Sequence, residues 1–497
     1  MYPPNPLLQT IVAPILTTIV VALLGRKIGR HVGWISGAVL TYTSILLILV
    51  GFRVLKEGIV YEEYVWAEFL DLRWDLLADG LSLPTALIMN IICAACAIYS
   101  INYMKHRIEV EHGEDRKKLH ALYHALYLLF PAGLVGVSLS TNLIQLYFFF
   151  ELTLIPSTLM IALFGYVDRE RVAMMYFIWN HVGAGLYLLG ATLAYMQTGS
   201  FEIAKVSGLI GSNVAFWVTL FILLGMLIKM ATFGFHVWLP WAHGEHPTSI
   251  AAIIATIVGL GSYIVARVLV QHLYPVFAVF SIPLIFLALI TMVYGALLTL
   301  AQDDVKRLYA CSTISQTAYT LLGLAYLTPL SVVGGVFYFL SHCIGKCILF
   351  SVAGIILAQT ELRDMRRMGG LACRMPITAT LCIIGSLILS AVPPFSGFPS
   401  ELLMFIGVFQ GSQVDLLKFL IALIAIIVTV LTVAYTFWPI RRIFFGPLPE
   451  NLKHVREASL SMTGPLLALA ILSLILGIYP RLVTDFLSAW IGGIGLP

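Results

Sequence analysis

The sequence is poor in charge. Only 11% of its 497 residues are Asp, Glu, Lys or Arg, whereas 60% are hydrophobic. No polar segment is long enough for a soluble catalytic domain, since the largest polar loops are 53–80 and 104–119. A Gly-rich nucleotide-binding loop and a metal-ligand cluster in a polar region are also missing. These absences argue against ATP-driven chemistry by this chain alone.

Cysteine is scarce as well, with seven residues in the whole chain. All of them fall in or at the ends of apolar segments. A metal or iron–sulfur site usually needs thiolates that converge in polar loops. We therefore expect small buried hydrophobic side chains at all seven positions, which are Cys93, Cys96, Cys311, Cys343, Cys347, Cys373 and Cys382.

Long apolar runs, by contrast, recur from one end of the chain to the other, and the mean hydropathy is +0.95. No charged residue precedes the first run, so we expect a retained helix there and not a signal peptide. The pattern predicts an all-α polytopic membrane protein with about fourteen transmembrane helices, at 7–25, 33–52, 81–103, 120–140, 142–166, 172–197, 214–240, 247–272, 275–301, 306–326, 329–358, 376–411, 416–446 and 460–490.

The distribution of basic residues predicts the orientation of the chain. Of the 29 Lys and Arg residues, 20 fall in the odd-numbered loops or at the span ends beside them, 7 fall in or beside the even-numbered loops or the C-terminal tail, and Lys229 and Lys346 lie in the middle of spans. Cytoplasmic loops carry the excess of basic residues. We therefore expect a multi-pass protein of the cell (plasma) membrane with both termini, and the acidic stretch 57–79, on the outer face.

Two of the spans are interrupted by glycine and proline in a similar way. Residues 229–238 can be placed over residues 389–398, so that Phe235 aligns with Phe395. The interrupted spans are five apart, and an odd number of spans inverts the second copy in the membrane. The sequence therefore predicts an N-terminal three-helix segment, two inverted five-helix repeats that each contain a broken helix, and a C-terminal helix, at 1–119, 120–272, 273–446 and 447–497.

Lys229 lies among apolar residues just before the first interruption. A lysine at membrane depth costs at least about 3 kcal/mol, and beside a broken helix it indicates an ion or proton site. Glu151 lies in another apolar stretch, and we expect it to be the partner that keeps Lys229 charged. Without that carboxylate, burial favours the neutral amine, so the pair can act as a proton switch. The alternative for Glu151 is a protonated packing residue.

Span 11 carries His342 and Lys346 four residues apart, a spacing that places both on one helix face. Histidine titrates near neutral pH and a buried lysine can be brought towards it, so the pair suits a proton relay. Polar contact between helices is the alternative. His181, in the middle of span 6, is expected either to bridge Lys229 to this pair or to be a packing residue.

Polar residues also accompany the interruptions themselves. Glu401 follows the second one and is expected to be a terminal mid-membrane carboxylate, or else a residue favoured near a helix N-terminus by the macrodipole. The cytoplasmic end of span 7 is expected to form an entry funnel, with capping and turn roles compatible, from His236, His243, Glu245 and His246. Within span 10, Gln316 and Ser315 are expected to carry water-bridged relay steps.

These stretches resemble a known family. The segment 229–249 resembles the broken-helix signature of the antiporter-like, proton-translocating subunits of respiratory complex I and its relatives. Segments 149–156, 341–342 and 363–371 carry the same resemblance. The chain length, the number of spans and the position of Glu401 look most like the chain M (subunit 4) type.

The resemblance implies a function. The chain would be the non-catalytic pumping subunit in the membrane arm of an NADH–quinone-type oxidoreductase complex. NADH, reduced deazaflavin or ferredoxin would donate electrons, and a quinone or methanophenazine would accept them. It implies no cofactor in this chain, flavin and iron–sulfur clusters in partner subunits, and no nucleic acid. Glu151 and Lys229 match the family's essential pair, His342 its relay histidine and Glu401 its exit-side glutamate.

The chain departs from the family pattern at three positions, one of which is Trp241, where the family usually has an aspartate. The family usually has a second lysine in span 8, but residues 256–263 of this chain contain no lysine. It also usually has a histidine in span 10 at the position of Gln316. Lys346 appears beside His342 instead, as in the sister antiporter-like subunits. A central relay through His181, His342 and Lys346 is therefore expected. The departures favour an archaeal or otherwise divergent complex linked to deazaflavin or ferredoxin.

Two other functions stay open. A subunit of a multisubunit sodium/proton antiporter would share this fold and the Glu–Lys pair. Glu401 favours the redox-driven complex, because antiporter-type chains tend to have a lysine at that position. A stand-alone solute carrier is the third candidate, but the sequence shows no separate substrate pocket.

Overall fold

The structure is a computed structural model, and it describes residues 3–67 and 72–495. Glu68 and Asp71 of the expected outer acidic stretch lie outside the described residues, as do the terminal residues whose side of the membrane was predicted. The described chain is almost entirely helical, which confirms the predicted fold class.

The α-helices are α1 Pro6–Ile28, α2 Val32–Glu57, α3 Ser82–His112, α4 Lys117–Leu139, α5 Leu143–Phe164, α6 Arg169–Thr198, α7 Asn213–Lys229, α8 Trp238–Glu245, α9 Thr248–Ile264, α10 Tyr274–Phe277, α11 Ser281–Leu300, α12 Val305–Tyr326, α13 Pro329–Thr360, α14 Pro376–Leu389, α15 Gly397–Gln410, α16 Leu416–Phe444, α17 Leu460–Ile478 and α18 Arg481–Gly492. A π-helix, Val265–Val270, continues α9.

Every predicted span is present as a helix, a broken helix or a helix pair. Ten helical segments of the described residues are long and apolar enough to cross a membrane, and two shorter apolar helices are α7 and α14. Helix ends follow the local chemistry. For example, α3 and α6 stop at Gly113 and Gly199, with φ of 73° and 71°, a left-handed conformation that favours glycine.

A pair of short hairpin ladders covers one end of the bundle between α2 and α3. Strand β1 (Val60–Glu62) pairs antiparallel with β4 (Leu76–Ala78), and β2 (Val65–Ala67) pairs with β3 (Leu72–Arg73). The Glu62 carboxylate accepts hydrogen bonds from the backbone N–H groups of Leu7 and Leu8, at 2.8 and 2.9 Å. These donors belong to the first turn of α1, so Glu62 fixes the ladder to that helix end.

The two interrupted spans break with the same backbone geometry. After α7, Ala231 has a φ of 52°, and after α14, Ala391 has a φ of 50°. In both breaks the backbone N–H of the next residue donates a hydrogen bond to the carbonyl five residues earlier in the chain. Thr232 donates to the Leu227 carbonyl, and Val392 donates to the Leu387 carbonyl. The match supports placing 229–238 over 389–398. The residue boundaries of the two repeats stay a prediction.

Helices α9 and α13 form the interior of the bundle. Their most apolar stretches are 100% and 94% buried, against 28% for α16 at the periphery. The expectation for cysteine holds for six of the seven residues. It is wrong for Cys373, which is exposed in the short 3-10 turn before α14, because the chain leaves the apolar interior there.

Candidate functional site

The first part of the site is Lys229, the last residue of α7. Its side chain is 1% exposed, and its Nζ lies 4.6 Å from the centroid of the Phe150 ring. Glu151, the next residue on α5, lies within electrostatic range of Lys229. Among the ion pairs of the described residues, Glu151 contacts His181 instead, at 3.4 Å between Oε1 and Nδ1. Lys229 is therefore held by an aromatic face and a nearby carboxylate without a direct salt bridge.

His181 does not occupy the position expected from the sequence. Its side chain is 49% exposed and stacks on Phe177 at the surface of α6, with ring centroids 5.3 Å apart. The expectation that it bridges Lys229 to His342 is wrong, because α6 presents this face to the outside of the bundle. The structure instead pairs it with Glu151.

The short helix α8 brings His243 and Glu245 into the interior. His243 is fully buried, packs its ring against Phe350 of α13 at 5.2 Å, and has no hydrogen-bond partner for either ring nitrogen in the described part of the chain. Glu245 is 7% exposed, and its Oε2 accepts a hydrogen bond from the Tyr166 N–H at 3.1 Å. Both residues are buried because α8 packs against α12 and α13, and their expected role in an entry funnel stays a prediction.

His236 lies apart from that pair. It is half-buried in the turn before α8, and its Nε2 lies 3.2 Å from the hydroxyl of Tyr294 on α11. Its neighbour His246 is buried, with Nδ1 2.7 Å from the Ala242 carbonyl. The four residues expected to form one cluster are thus divided between the bundle surface and its interior.

Lys306 is a buried cation that the sequence pattern assigned to a loop. It lies in the first turn of α12 and is fully buried. Its Nζ donates hydrogen bonds to the carbonyls of Gly244 at 2.9 Å and His246 at 2.7 Å. The same ammonium lies 4.1 Å from the centroid of the Tyr166 ring. Lys306 therefore satisfies the carbonyls at the C-terminal end of α8, where a cation also complements the helix dipole.

His243 links the two halves of the chain. The titratable groups within its electrostatic range are His246 and Lys306 on one side, and His342 and Lys346 of α13 on the other. Both of those α13 residues are buried. Both ring nitrogens of His243 and the Nε2 of His342 are buried without a hydrogen-bond partner in the described part of the chain.

The second half of the site follows one face of α13. Lys346 donates hydrogen bonds to the Tyr309 carbonyl at 2.8 Å and to the Ser312 hydroxyl. His342 lies one turn away, and Tyr338 one turn further. The Tyr338 hydroxyl donates to Gln316 Oε1 at 2.7 Å. The spacing of four residues therefore places a lysine, a histidine and a tyrosine in one line.

Gln316 extends this line across the bundle. Its Nε2 donates to the Tyr435 hydroxyl of α16 at 2.7 Å, and that hydroxyl donates to Thr432 at 3.2 Å. The direct contacts differ from the water-bridged step expected at Gln316. The Ser315 hydroxyl donates to the Met292 carbonyl at 2.9 Å, and its relay role stays a prediction.

Glu401 lies at the end of the tyrosine-lined region. Tyr319, Tyr338 and Tyr435 lie within its electrostatic range. It is partly buried and is the fifth residue of α15, with no acidic residue in the first turn of that helix. The alternative that the helix N-terminus selects Glu401 is therefore weakened, since the dipole acts mainly on the first turn.

Sequence reasoning missed several members of the site. Lys306 follows Asp304, which caps α12 through the backbone N–H groups of Lys306 and Arg307, and this cap marks a helix start and not a solvated loop. Tyr338 could have been predicted from the sequence, because it lies four residues before His342 and therefore on the same face of the helix. Tyr435 had no signal in its own segment, because only the packing of α16 brings it to Gln316.

The fold and the site together define a polytopic membrane protein with a line of buried ionisable groups. The family described as "NADH:quinone oxidoreductase/Mrp antiporter, TM" matches residues 140–432. The family described as "NADH-Ubiquinone oxidoreductase (complex I), chain 5 N-terminus" matches residues 66–112. Since the first match spans more than half of the chain, the protein belongs to the family of membrane subunits shared by NADH:quinone oxidoreductases and Mrp antiporters.

Similar proteins come from both branches. NADH-quinone oxidoreductase subunit M of Rickettsia prowazekii is 28% identical over 90% of each chain. NAD(P)H-quinone oxidoreductase chain 4 of Synechococcus elongatus is 30% identical over 96% of this chain and 88% of its own. Na(+)/H(+) antiporter subunit A1 of Staphylococcus aureus is also 30% identical, over 96% of this chain and 61% of its own. The predicted resemblance to antiporter-like complex I subunits is confirmed.

Solved structures show the same fold. A chain in respiratory complex I from Thermus thermophilus matches with a TM-score of 0.85 and 24% identity, over 98% of this chain and 100% of that one. A chain in the Mrp complex from Dietzia sp. matches with a TM-score of 0.87 and 21% identity, over 99% and 98%. Both neighbours belong to multisubunit membrane assemblies.

Proposed function

We propose that this chain is a proton-translocating subunit in the membrane arm of a redox-driven, complex I-like assembly. The observation that carries the proposal is the line of buried ionisable groups that joins the two broken helices. In the bundle interior it contains Lys229, His243, His342 and Lys346, and it ends at Glu401. Such residues are costly in a membrane bundle and mark ion or proton pathways.

The proposed path begins at Lys229, whose charge depends on Glu151 and on His181 beside it. It passes to His243 at the end of α8, which takes the bridging role that the sequence suggested for His181. The ladder of Lys346 and His342 on α13 follows. An imidazole has one ring nitrogen that donates and one that accepts a hydrogen bond, so His243 and His342 suit intermediate steps.

The last part of the path runs from His342 to Glu401. The hydroxyls of Tyr338 and Tyr435 are joined through Gln316. The Gln316 amide orients the two hydroxyls and does not itself carry the proton, whereas each hydroxyl both donates and accepts a hydrogen bond and so can pass a proton without holding a charge. Glu245 and His236 are assigned to the cytoplasmic approach, and Lys306 holds the end of α8 in place.

The energy for transport comes from partner subunits. Moving one proton against 100 mV requires about 2.3 kcal/mol. We assign the redox chemistry, with its flavin and iron–sulfur clusters, to a peripheral arm that oxidises NADH, reduced deazaflavin or ferredoxin and reduces a quinone or methanophenazine. This chain carries no cofactor in the proposal and lies in the cell membrane with both termini outside.

The decisive experiment is proton uptake by the reconstituted complex with Lys229→Ala or Glu151→Gln. Both variants are expected to assemble and to lose pumping, because each removes one half of the proton switch. Lys453→Ala is the control, since Lys453 forms a surface pair with Glu450 at 2.7 Å. Unchanged pumping in the assembled Lys229→Ala complex would refute the proposed mechanism.

A subunit of a sodium/proton antiporter is the second candidate. It is favoured by the similarity to Na(+)/H(+) antiporter subunit A1 and to a chain of the Mrp complex. Purification of the native assembly distinguishes the two. Subunits with flavin and iron–sulfur clusters in the same complex support the redox-driven function, whereas seven small membrane subunits without redox cofactors support the antiporter.

A further inference from the structure

An apolar groove of about 350 Å³ lies between α2, α3 and the last two helices, α17 and α18. All of its lining residues are apolar or glycine, and they include Phe52, Leu87 and Phe486. The volume falls in the range of about 300–1,000 Å³ that is typical of ligand pockets. The groove is separate from the line of groups between Lys229 and Glu401, and the proposed proton path gives it no role.

The groove follows the part of the bundle that the basic residues predict to lie in the outer leaflet. On α3 its lining extends from Leu83 to Ile91, in the first turns after the hairpin ladders. This separation of eight residues corresponds to about 12 Å of helix. One leaflet of the hydrocarbon core is about 15 Å thick. The groove therefore runs through most of one leaflet, which is the space that an acyl chain occupies.

Tertiary contacts of α18 fix the shape of the groove. Trp490 Nε1 donates to Gln271 Oε1 at 2.9 Å and ties α18 to the end of the π-helix. Gly80, just before α3, leaves no room for a Cβ against the backbone carbonyl of Phe486. Helix α18 thus packs closely on the start of α3. Since Phe486 lines the groove, this wall is held in place by the fold.

Basic residues adjoin the outer end of the groove. Seven Lys and Arg residues of the chain were counted on the outer side, and three of these are chain neighbours of lining residues, namely Arg53, Lys56 and Arg481. Arg53 pairs with Glu57 at 3.0 Å. Within the described residues, the side chains of Lys56 and Arg481 form no hydrogen bond or ion pair, although Asp485 lies one turn along α18. Two cations without a carboxylate partner therefore accompany a wholly apolar groove.

We propose that this groove binds an anionic phospholipid, with one acyl chain between the helices and the phosphate beside Arg481 and Lys56. A guanidinium binds phosphate through two parallel hydrogen bonds, and an ammonium binds it as a point charge. The apolar stems of Lys and Arg pack along the acyl chain while their charged ends stay at the interface. The bound lipid joins α2 to α17 and α18, and it does not depend on the proposed proton path.

Photolabelling in the membrane tests the site. Vesicles that contain the assembled complex receive a trace of phosphatidylglycerol with a diazirine in its acyl chain, and the labelled peptides are identified by mass spectrometry after irradiation. Labelling of the groove is expected to fall several-fold when unlabelled phosphatidylglycerol is added in excess. Labelling of α16, whose Ile427 is 60% exposed at the periphery, is the reference for bulk lipid. Equal competition at the groove and at α16 would show bulk lipid only and overturns the proposal.

Substitution of Arg481 tests recognition of the headgroup. Arg481→Gln is expected to lower labelling of the groove by the phosphatidylglycerol probe at least threefold and to change labelling by a phosphatidylcholine probe little. Lys205→Gln is the matched control, since Lys205 is an outer cation that pairs with Glu202 at 3.4 Å, away from the groove. Equal labelling of Arg481→Gln and Lys205→Gln by the phosphatidylglycerol probe overturns the proposed phosphate contact.

A substitution of Gly51 tests the acyl-chain site itself. A Cβ added to Gly51 would lie 3.4 Å from Leu83 Cδ2 and 3.9 Å from Phe486 Cζ, so a larger side chain enters the groove. Gly51→Phe is expected to abolish labelling of the groove by either probe, once native gels show that the complex assembles. Undiminished labelling overturns the site.

A photoreactive residue in the groove identifies its occupant independently. Benzoylphenylalanine in place of Phe52 is expected to form a covalent adduct with a phospholipid, because Phe52 lines the groove and is 55% exposed within this chain. An adduct with another protein subunit would show that a partner helix covers the groove, and it overturns the proposal.

Discussion

The three buried lysines of the site differ in how their ammonium groups are satisfied. Lys306 binds two backbone carbonyls, and Lys346 binds a carbonyl and a hydroxyl. Lys229 lies over an aromatic ring, and no hydrogen bond of its ammonium is found in the described part of the chain. Hydrogen bonds to a charged group favour its charged form. Lys229 is therefore the lysine whose proton depends most on a neighbouring charge, and Lys306 is the most firmly fixed.

Lys306→Met is expected to weaken the α8–α9 junction. The substitution leaves the buried carbonyls of Gly244 and His246 without their donor, and each such group costs about 1–3 kcal/mol. A lower melting temperature of the purified complex and slower pumping should follow. Lys453→Met is the control on an exposed lysine. Equal melting temperatures of Lys306→Met and the wild type would show that the two hydrogen bonds contribute nothing.

Asp79 gives the fold a pH dependence outside the membrane spans. Burial opposes its ionisation, but the Arg267 charge and the N–H groups of Ser82 and Leu81 outweigh it and lower the pKa to about 2. The carboxyl of an unfolded chain has a pKa of about 3.9, so the ionised pair adds about 2–3 kcal/mol at neutral pH. This stability is present above pH 4 and is lost as the pH falls towards 2.

The corresponding measurement compares wild type and Asp79→Asn in thermal unfolding between pH 7 and pH 3. The wild type is expected to be more stable at pH 7, and the difference should shrink below about pH 4 as Asp79 takes up a proton. A difference that stays constant over this range would mean that the charge of Asp79 does not contribute to the stability.

At the scale of elements, the two broken helices are interrupted by turns of the same backbone conformation. Ala231 and Ala391 both have left-handed φ values, which cost a non-glycine residue about 1–2 kcal/mol. The strain is compensated because the N–H of the following residue still donates to a carbonyl of the preceding helix. The distance is 3.2 Å for Thr232 and 3.0 Å for Val392. The break therefore ends α7 at Lys229 and lets α8 fold back to bring His243 towards α13.

Ala231→Val and Ala231→Gly test this turn. A β-branched residue is a genuine outlier at positive φ, so Ala231→Val is expected to displace α8 and reduce pumping at least several-fold. Ala231→Gly adopts the same φ without strain and should retain pumping. Equal activity of the two variants, with equal amounts of assembled complex, would show that the turn geometry is not required.

At the scale of the whole molecule, α3 of the N-terminal segment packs on α13 of the predicted second repeat. The thiols of Cys96 and Cys347 lie 3.3 Å apart at this interface, and both are fully buried. The contact fixes the first helices of the chain against the helix that carries His342 and Lys346. The N-terminal segment thus supports the relay without contributing an ionisable group to it.

Mild oxidation of the solubilised complex is expected to link Cys96 to Cys347, since their sulfur atoms are already in contact. Mass spectrometry of the digested protein should find the linked peptide, and Cys96→Ser should remove it. A linked peptide from another pair would contradict the packing of α3 on α13.

The sequence by itself determined the number and approximate ends of the spans, because each must hold a long apolar run. It also determined the two interruptions and the residues Glu151, Lys229, His342, Lys346 and Glu401, because a charge or an imidazole is conspicuous in such runs. The orientation of the chain stays a prediction from the distribution of Lys and Arg between the loops.

Only the tertiary structure decided which of these groups meet. His181 was expected at the centre and lies at the surface beside Glu151, since the direction of a helix face depends on its neighbours. Lys306 and Arg267 were counted as loop charges and are buried, because Lys306 lies in the first turn of α12 and Arg267 in the π-helix that continues α9. The central position of His243 arises from the packing of α8 against α13, and no pattern within one segment encodes a contact between distant helices.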